Sequence, residues 1–596
     1  MENTFKMLQK IGKDKITYLM DAIIFAILTI VTFMRLGAAM WGLKIILVSC
    51  ISCLISTFIR YIISDILSPK TINRFDGIFI LILLIVYIPL LYSGIYFRDD
   101  FLNFRGYNSD FLTYSVSQGR PITGLLTDIM SFVTFEKSYY LRWISIGGVL
   151  CYYVLLTQML NKAMSKFQAS LIAICLCLSI PIVNVIAYGS MFTYSWAFVA
   201  SLLSVCYFEK WSSEKKKTPF IIAIALVFIS NLIYQVTTTM AFLGLYILVN
   251  RKTHIRNVYY FGCFGSGSLV YLLFSKIISK YYGIPLMGRS EIIGAGDIIS
   301  KIKWFLNDVC PQSVKQIAVS ICGQKLIKEW NLTGNITFVN NIALIVVWSI
   351  VGLLLAVFTF DRIRQNPQQL IWTIILIPCS YYCFLILKET SYSSYYITAL
   401  SSIFILILFD VIKKTIHSYR LSSILMAMLT LSFITTASYT VNHFWIGYNQ
   451  SIYRDIKLQI LNAVDQNGWK YNQAHIYGSV IPDDADIYMI RETQMALSEL
   501  NLQIPEITST SNRNVVRNME DSSFNKLINQ MSDEEIRFLK SMYIHDSNFS
   551  IYYLRSGEIT EQDLKRLTDI LVKYKVFPKP STDVLIIDVE NASEWM

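Results

Sequence analysis

Charged side chains are scarce in this chain of 596 residues: only 16% are Asp, Glu, Lys or Arg, whereas 54% are hydrophobic. A surface that meets water throughout needs more charge, so the composition excludes an ordinary soluble protein. Apolar runs such as 76–97 and 340–360 are also about 20 residues long, the length that crosses the hydrocarbon layer as a helix. Most of the chain is therefore expected to meet lipid.

The sequence also lacks internal repeats, a signal-peptide cleavage pattern and a metal-ligand spacing of cysteines, and each absence argues against one class of protein or site. No internal repeat stands out, which argues weakly against pseudo-symmetric transporters. The lysines before the first apolar run are not followed by a small-residue cleavage pattern, so we expect a retained first span. The eleven cysteines show no metal-ligand spacing. Cys310 and Cys322 share one polar segment, where a disulfide and two free thiols are both open.

Positive charge is concentrated in the first three quarters of the chain. Residues 1–444 carry 37 Lys+Arg and 19 Asp+Glu, a net charge of +18. Residues 445–596 carry 15 and 22, a net charge of −7. A basic membrane part with an acidic tail favours basic cytoplasmic loops and argues against a nucleic-acid partner.

Hydropathy predicts about thirteen transmembrane helices. The predicted spans are 17–36, 42–63, 76–96, 138–158, 169–187, 191–208, 219–233, 236–250, 257–279, 338–360, 369–387, 396–412 and 421–444. The run 219–250 is cut at Tyr234 and Gln235 because the basic turns on either side of it must share the cytoplasmic face. The fold class is therefore an all-α polytopic membrane protein.

The same charge rule predicts the sidedness of the loops. With a cytoplasmic N-terminus and an odd number of spans, residues 97–137 and 280–337 and the tail lie outside. We expect two domains: a transmembrane domain at 1–444 and an extracytoplasmic α/β domain at 445–596. Strand-like runs at 474–480 and 584–589 and helical stretches at 484–500 and 533–543 support the α/β prediction for the tail.

Two adjacent carboxylates, Asp99 and Asp100, end the predicted span 76–96 on its outer side. An acid at the membrane surface lies where the phosphate of a polyprenyl-phosphate sugar must also lie. It suits a general base that takes the proton from an acceptor hydroxyl. Nearby arginines suit the leaving phosphate, which they can hold bidentately. These are Arg98, Arg105 and Arg120.

A span that ends in Asp-Asp, an arginine a few residues later and Gly119-Arg120-Pro121 at the start of the next helix together form a pattern. This pattern resembles the membrane glucosyltransferases of the Gtr group, which modify O-antigen and belong to the GT-C class. The resemblance covers residues 76–125, with Tyr234-Gln235 as a further short match. It implies a GT-C-like fold in the inner membrane and transfer of glucose from undecaprenyl phosphate to a lipid-linked polysaccharide. It also implies that Asp99 or Asp100 is essential.

Four further residues are candidate substrate ligands, and each of them also has an ordinary structural explanation. Tyr234 and Gln235 are predicted to contact substrate, although an interfacial aromatic and a cap would read the same. Arg289 and Lys388 are predicted phosphate ligands, although outer loops carry charge in any case. No cofactor is required. Two adjacent acids are compatible with a divalent cation, but we favour a metal-independent reaction.

Two alternatives remain open. A different polyprenol-dependent enzyme of surface polysaccharide synthesis would use the same acids and arginines. A transporter or flippase for a lipid-linked saccharide would instead place charges in a cavity at the middle of the bilayer.

Overall fold

The computed structural model describes residues 74–93, 111–130, 139–249, 254–286, 294–323, 367–386, 395–416 and 418–467. In the tail it describes 473–477, 506–510, 530–546, 551–554 and 584–588, with isolated residues between these ranges. The described residues divide into a helical unit that ends at Val441 and a C-terminal unit that begins at Asn442.

The helical unit contains seventeen α-helices among its described residues. They are α1 (Arg74–Tyr92), α2 (Phe111–Ser117), α3 (Pro121–Met130), α4 (Tyr139–Asn161), α5 (Lys166–Cys177), α6 (Ile180–Ala187), α7 (Tyr194–Glu214), α8 (Lys217–Ile233), α9 (Gln235–Thr238), α10 (Met240–Val249), α11 (His254–Tyr282), α12 (Ile298–Trp304), α13 (Cys310–Cys322), α14 (Pro367–Cys379), α15 (Tyr382–Ile386), α16 (Thr398–Thr415) and α17 (Tyr419–Tyr439).

Five helical stretches of the described residues are long and apolar enough to cross a membrane: Phe75–Tyr92, Leu141–Asn161, Gly189–Glu214, Val258–Tyr281 and Tyr419–Gly447. A sixth results if α5 and α6 form one span, which bends by 53°. The predicted spans 17–36, 42–63 and nearly all of 338–360 lie outside the described residues. The described part of the chain is thus mostly helical and includes several helices that are long and apolar enough to span a membrane, while the count of thirteen stays a prediction.

The bend between α5 and α6 has a local cause. Pro181 occupies the first turn of α6, where its missing N–H and fixed φ favour a helix start over continuation of the preceding helix. The free backbone N–H of Ile180 donates to Ser320 Oγ of α13 at 3.0 Å. The segment predicted as one span at 169–187 is therefore two helices.

The chain reverses direction at Tyr234. Ser201 of α7 bonds both Ser230 of α8 and the carbonyl of Thr237 in α9, at 2.8 and 3.2 Å. Farther along α7, Val205 lies against Gly244 of α10. Helices α8 and α10 therefore pack on α7 in opposite directions, as the charge argument for cutting this run requires.

One end of the helical unit collects basic turns. Lys162 pairs with Glu209 at 2.6 Å, Lys413 Nζ donates to Ala163 O at 3.4 Å, and Tyr419 bonds Ser165 at 3.2 Å. The turns at 162–166, 209–217 and 413–420 therefore meet, and we call this end the lysine end. Its cations are Lys162, Lys166, Lys210, Lys215, Lys216, Lys217, Lys413, Lys414 and Arg420.

At the opposite end of the helical unit, Arg142 at the start of α4 connects the ends of α1 and α6. This arginine is only 1% exposed and donates to Leu90 O of α1 at 2.8 Å and to Ala187 O of α6 at 3.0 Å. Both carbonyls lie at helix C-termini, where the helix dipole is negative and favours a cation. Arg142 thus holds the ends of two helices together.

In the C-terminal unit the described residues form α18 (Tyr448–Asn467), α19 (Asp533–Met542) and five strands. The strands β1 (Gln473–Tyr477), β2 (Glu506–Thr510) and β5 (Val584–Asp588) form a parallel sheet in the order β2-β1-β5. Ala474 is opposite Ile507 and Leu585 in the register. The strands β3 (Tyr543–Asp546) and β4 (Ile551–Leu554) pair antiparallel.

A capping box starts α19. The Ser532 backbone N–H donates to Glu535 Oε2 at 3.0 Å, and the Glu535 N–H donates back to Ser532 Oγ at 3.4 Å. Lys573 and Tyr574 both bond the Glu535 carboxylate at 2.7 Å. These bonds, led by that from Lys573, lower the pKa of Glu535 to about 2.

Candidate anion-binding site

A tight turn between α2 and α3 presents Arg120. Gly119 has a φ of +70°, a left-handed conformation that L-residues rarely adopt, and its N–H donates to Val116 O at 2.9 Å. The Arg120 N–H donates to Ser115 O at 2.7 Å. Pro121 then begins α3, because its fixed φ suits the first helical position. The sequence Gly-Arg-Pro therefore ends one helix, places an arginine and starts the next.

The Arg120 guanidinium lies over an aromatic ring from a distant part of the chain. Its Cζ is 4.2 Å from the centroid of the Tyr234 ring, a cation–π distance. Tyr194 stacks on Tyr234 with centroids 4.3 Å apart, and Tyr396 lies 6.3 Å from Tyr234. Tyr194, Tyr234 and Tyr396 are buried, so the aromatic support of the guanidinium is rigid.

Arg120 has no carboxylate partner among the described residues. Its Nε atom is buried and makes no hydrogen bond, although the residue as a whole is partly exposed. A desolvated cation with only an aromatic partner is costly, because the ring replaces a fraction of the lost hydration. An anion that reached the guanidinium would offset that cost. The site therefore fits a carboxylate or phosphate ligand.

Gln235 forms hydrogen bonds with the backbone of the same turn. Its Nε2 atom lies 3.0 Å from both Gln118 O and Gly119 O, and 2.5 Å from the Tyr271 hydroxyl. The Tyr271 hydroxyl donates in turn to Gly119 O at 3.2 Å. The amide that we predicted to contact substrate is therefore engaged by the backbone of the Arg120 turn.

Three of the predicted site residues come together: Arg120 meets Tyr234 and Gln235, which lie more than a hundred positions later in the sequence. The remaining predicted residues lie outside the described part of the chain: Asp99, Asp100, Arg98, Arg105, Arg289 and Lys388. Their roles stay predictions. Leu90, which Arg142 holds at the end of α1, lies nine residues before Asp99 in the sequence.

The sequence alone did not identify Tyr194, Tyr271 and Tyr396 as parts of this site. A tyrosine inside an apolar run has the same pattern whether it packs in a core or supports a cation. Arg142 was missed as well, because an arginine near a span's start is typical of a side chain that reaches the membrane surface.

The structure gives a clear answer for Cys310 and Cys322. They stand at the two ends of α13, twelve residues and therefore about 18 Å apart along the axis, far beyond the reach of a disulfide. Burial raises the pKa of Cys310 to about 11, so its thiol is protonated at neutral pH. Within the described ranges, no cluster of three or more His, Cys, Asp or Glu residues could hold a metal ion.

No protein-family model matches this chain, and neither does any curated protein or solved structure. The chemistry of the site and the resemblance of its motifs therefore carry the functional argument.

Proposed function

We propose that this chain is a glycosyltransferase that uses a polyprenyl-phosphate sugar as donor. The donor is undecaprenyl-phosphate glucose, and the acceptor is a lipid-linked O-antigen or another surface polysaccharide. The reaction takes place at the periplasmic face of a bacterial inner membrane. The observation that supports this proposal best is the Arg120 guanidinium, which is held on Tyr234 without a carboxylate partner among the described residues.

The anion that fits the proposal is the phosphate group of the polyprenyl-phosphate sugar, a phosphodiester that becomes a monoester when the sugar leaves. The tail of this lipid is confined to the bilayer, so its head group reaches only the end of a helix bundle. A guanidinium can hold two phosphate oxygens in parallel, and the contact strengthens as negative charge develops on the leaving phosphate. The stacking on Tyr234 at 4.2 Å keeps the guanidinium plane in one orientation before the ligand arrives.

The sidedness of the proposal draws support from the lysine end. Basic turns favour the cytoplasm, so the lysine end is placed inside. Helix α8 begins there with Lys217 and ends at Ile233, next to Tyr234. The Arg120 site then lies at the outer end of α8. The proposal retains about thirteen spans and an extracytoplasmic C-terminal α/β domain from residue 445.

The chemical step is a single displacement. Asp99 or Asp100 accepts the proton of the acceptor hydroxyl as its oxygen attacks the anomeric carbon. The bond from that carbon to the phosphate oxygen breaks, and the phosphate leaves with the electron pair. Arg120 balances the new charge. The anomeric centre inverts, and no electron transfer occurs. A metal-independent reaction stays favoured; a divalent cation would be held by Asp99 and Asp100 and would supply electrostatic stabilisation of the phosphate.

A flippase for a lipid-linked saccharide is the second candidate. The 53° bend between α5 and α6 and the break at Tyr234 favour it, because transporters often use interrupted helices near their binding sites.

The test uses the full chain in proteoliposomes with undecaprenyl-phosphate glucose and a lipid-linked polysaccharide acceptor. We expect sugar transfer by the unchanged protein and a loss of about 100-fold or more in Asp99→Asn or Asp100→Asn, the usual weight of a general base. Asp110→Asn, an acid of the same sequence segment, is the matched control and should stay active.

Arg120→Lys keeps the charge but loses the bidentate geometry, and we expect it to weaken donor use. Full transfer by both Asp99→Asn and Asp100→Asn would remove the proposed base. Movement of the lipid across the bilayer without sugar transfer would favour the flippase instead.

A further inference from the structure

Two side chains from different helices bind the backbone of the Arg120 turn. Gln235, the first residue of α9, reaches the carbonyls of Gln118 and Gly119. Tyr271, in the second half of α11, reaches the Gly119 carbonyl and Gln235. We call these two residues the turn latch.

The chemistry of the latch fixes the orientation of the Gln235 amide. Two carbonyl oxygens face the same atom of the side chain at 3.0 Å, so that atom must be the NH2 group, since the amide oxygen would repel them. Nε2 has two hydrogens and three neighbouring acceptors, so one hydrogen is shared. A side chain without an N–H donor at position 235 would leave the turn carbonyls with one partner fewer.

The turn leaves no room for another arrangement. A Cβ atom at Gly119 would lie 2.7 Å from Gln235 Nε2 and would overlap the Tyr271 hydroxyl. The latch is therefore packed directly against the glycine that precedes Arg120. Tyr234, which adjoins Gln235, supports the guanidinium itself. The segment Tyr234-Gln235 thus holds the backbone just before Arg120 and also supports the Arg120 guanidinium.

We infer that Gln235 and Tyr271 are positioning residues, which hold the Gly119 turn so that Arg120 meets a lipid-borne phosphate in a fixed orientation. This inference rests on the proposed phosphate role of Arg120. Neither latch residue needs to touch the phosphate, because each acts through the backbone of residues 118–119.

The experiment uses the purified full chain in mixed micelles and two readouts. The first is the rate at which phenylglyoxal, an arginine reagent, modifies Arg120, followed by peptide mass spectrometry. The second is the ratio of the affinities for undecaprenyl phosphate and undecaprenol, which isolates recognition of the phosphate. The variants are Gln235→Ala and Tyr271→Phe.

Tyr260→Phe is the matched control. Tyr260 lies on α11 as Tyr271 does, is fully buried, and its hydroxyl bonds Ser204 at 2.8 Å, away from the turn. Both Phe variants lose one buried hydroxyl, so a merely structural effect would be similar in the two. We expect Gln235→Ala to lower the ratio of the affinities for undecaprenyl phosphate and undecaprenol about tenfold, because one or two hydrogen bonds to the turn are lost. The same variant should speed the modification of Arg120 several-fold. Tyr271→Phe should do the same more weakly, and Tyr260→Phe should do neither.

The outcomes separate the two proposals. If Arg120→Ala keeps the full preference for phosphate, the phosphate role of Arg120 fails, while the modification rates still decide whether the latch positions the arginine. If Gln235→Ala and Tyr271→Phe behave as Tyr260→Phe does in both readouts, the positioning role is overturned.

Discussion

Gly119→Ala is the substitution for which the structure makes the sharpest prediction. The left-handed φ of +70° is unfavourable for alanine by about 1–2 kcal/mol. The new methyl group would also stand 2.7 Å from Gln235 Nε2 and overlap the Tyr271 hydroxyl. Both groups must move, which weakens their hydrogen bonds to the turn, each worth about 1 kcal/mol. We expect a total destabilisation of about 2–4 kcal/mol.

The assay is thermal unfolding of the purified full chain in detergent. Gly262→Ala is the matched control, because Gly262 lies exposed in α11 and a Cβ there meets nothing within 4 Å. Alanine is the better helix former, so the control should be neutral or more stable by up to about 1 kcal/mol. Gly119→Ala should unfold at a lower temperature. An unfolding midpoint equal to that of the unchanged protein would refute the geometry of the turn.

A double substitution tests why Gly119→Ala lowers the stability of the protein. In Gly119→Ala with Tyr271→Phe, the hydroxyl that the methyl group overlaps is absent. The two changes should therefore cost less together than the sum of their separate costs. Strict additivity would mean that Tyr271 is not the obstacle.

The remaining predictions concern other parts of the molecule. Arg142→Met should destabilise the protein by about 2–4 kcal/mol, because two helix-end carbonyls lose a charged donor, whereas Arg420→Met at an exposed site should change little in the same unfolding assay. Glu535 has a folded-state pKa of about 2, below its ordinary 4.5, so its stabilisation is present above about pH 4.5 and is lost as the pH falls towards 2. Glu535→Gln should flatten the acid limb of tail stability measured by limited proteolysis, and Glu534→Gln should not. Maleimide should label exposed Cys322 without any reductant while buried Cys175 stays unlabelled, and a disulfide-linked peptide containing Cys310 would contradict this.

Hydropathy and charge predicted helix positions best where neighbouring residues alone determine them. The break at Tyr234 followed from basic turns that had to share one face, and the chain does reverse there. The bend at Ser179 was missed, although Pro181 gave a signal for it, because the whole run is apolar. Helix α13 was hidden inside a predicted outer loop, because its composition is too polar to resemble a span.

The candidate site was predictable only in part. Arg120 was predicted as a phosphate ligand because an arginine close to the membrane surface can hold a leaving phosphate bidentately. Its support did not stand out, since Tyr194, Tyr271 and Tyr396 lie in three distant segments and reach one turn only after the helices pack. Long-range pairing of this kind depends on helix crossing geometry, which a single sequence does not encode as a pattern.

The proposed reaction requires Asp99, Asp100 and Arg120 to lie on the side of the membrane opposite the lysine end. Asn103→Cys and Lys216→Cys, each compared with the unsubstituted chain, test it in spheroplasts with a membrane-impermeant maleimide and peptide-resolved mass spectrometry. We expect position 103 to be labelled in intact spheroplasts and position 216 only after permeabilisation. Labelling of both positions from the same side, or of position 216 alone, would contradict it.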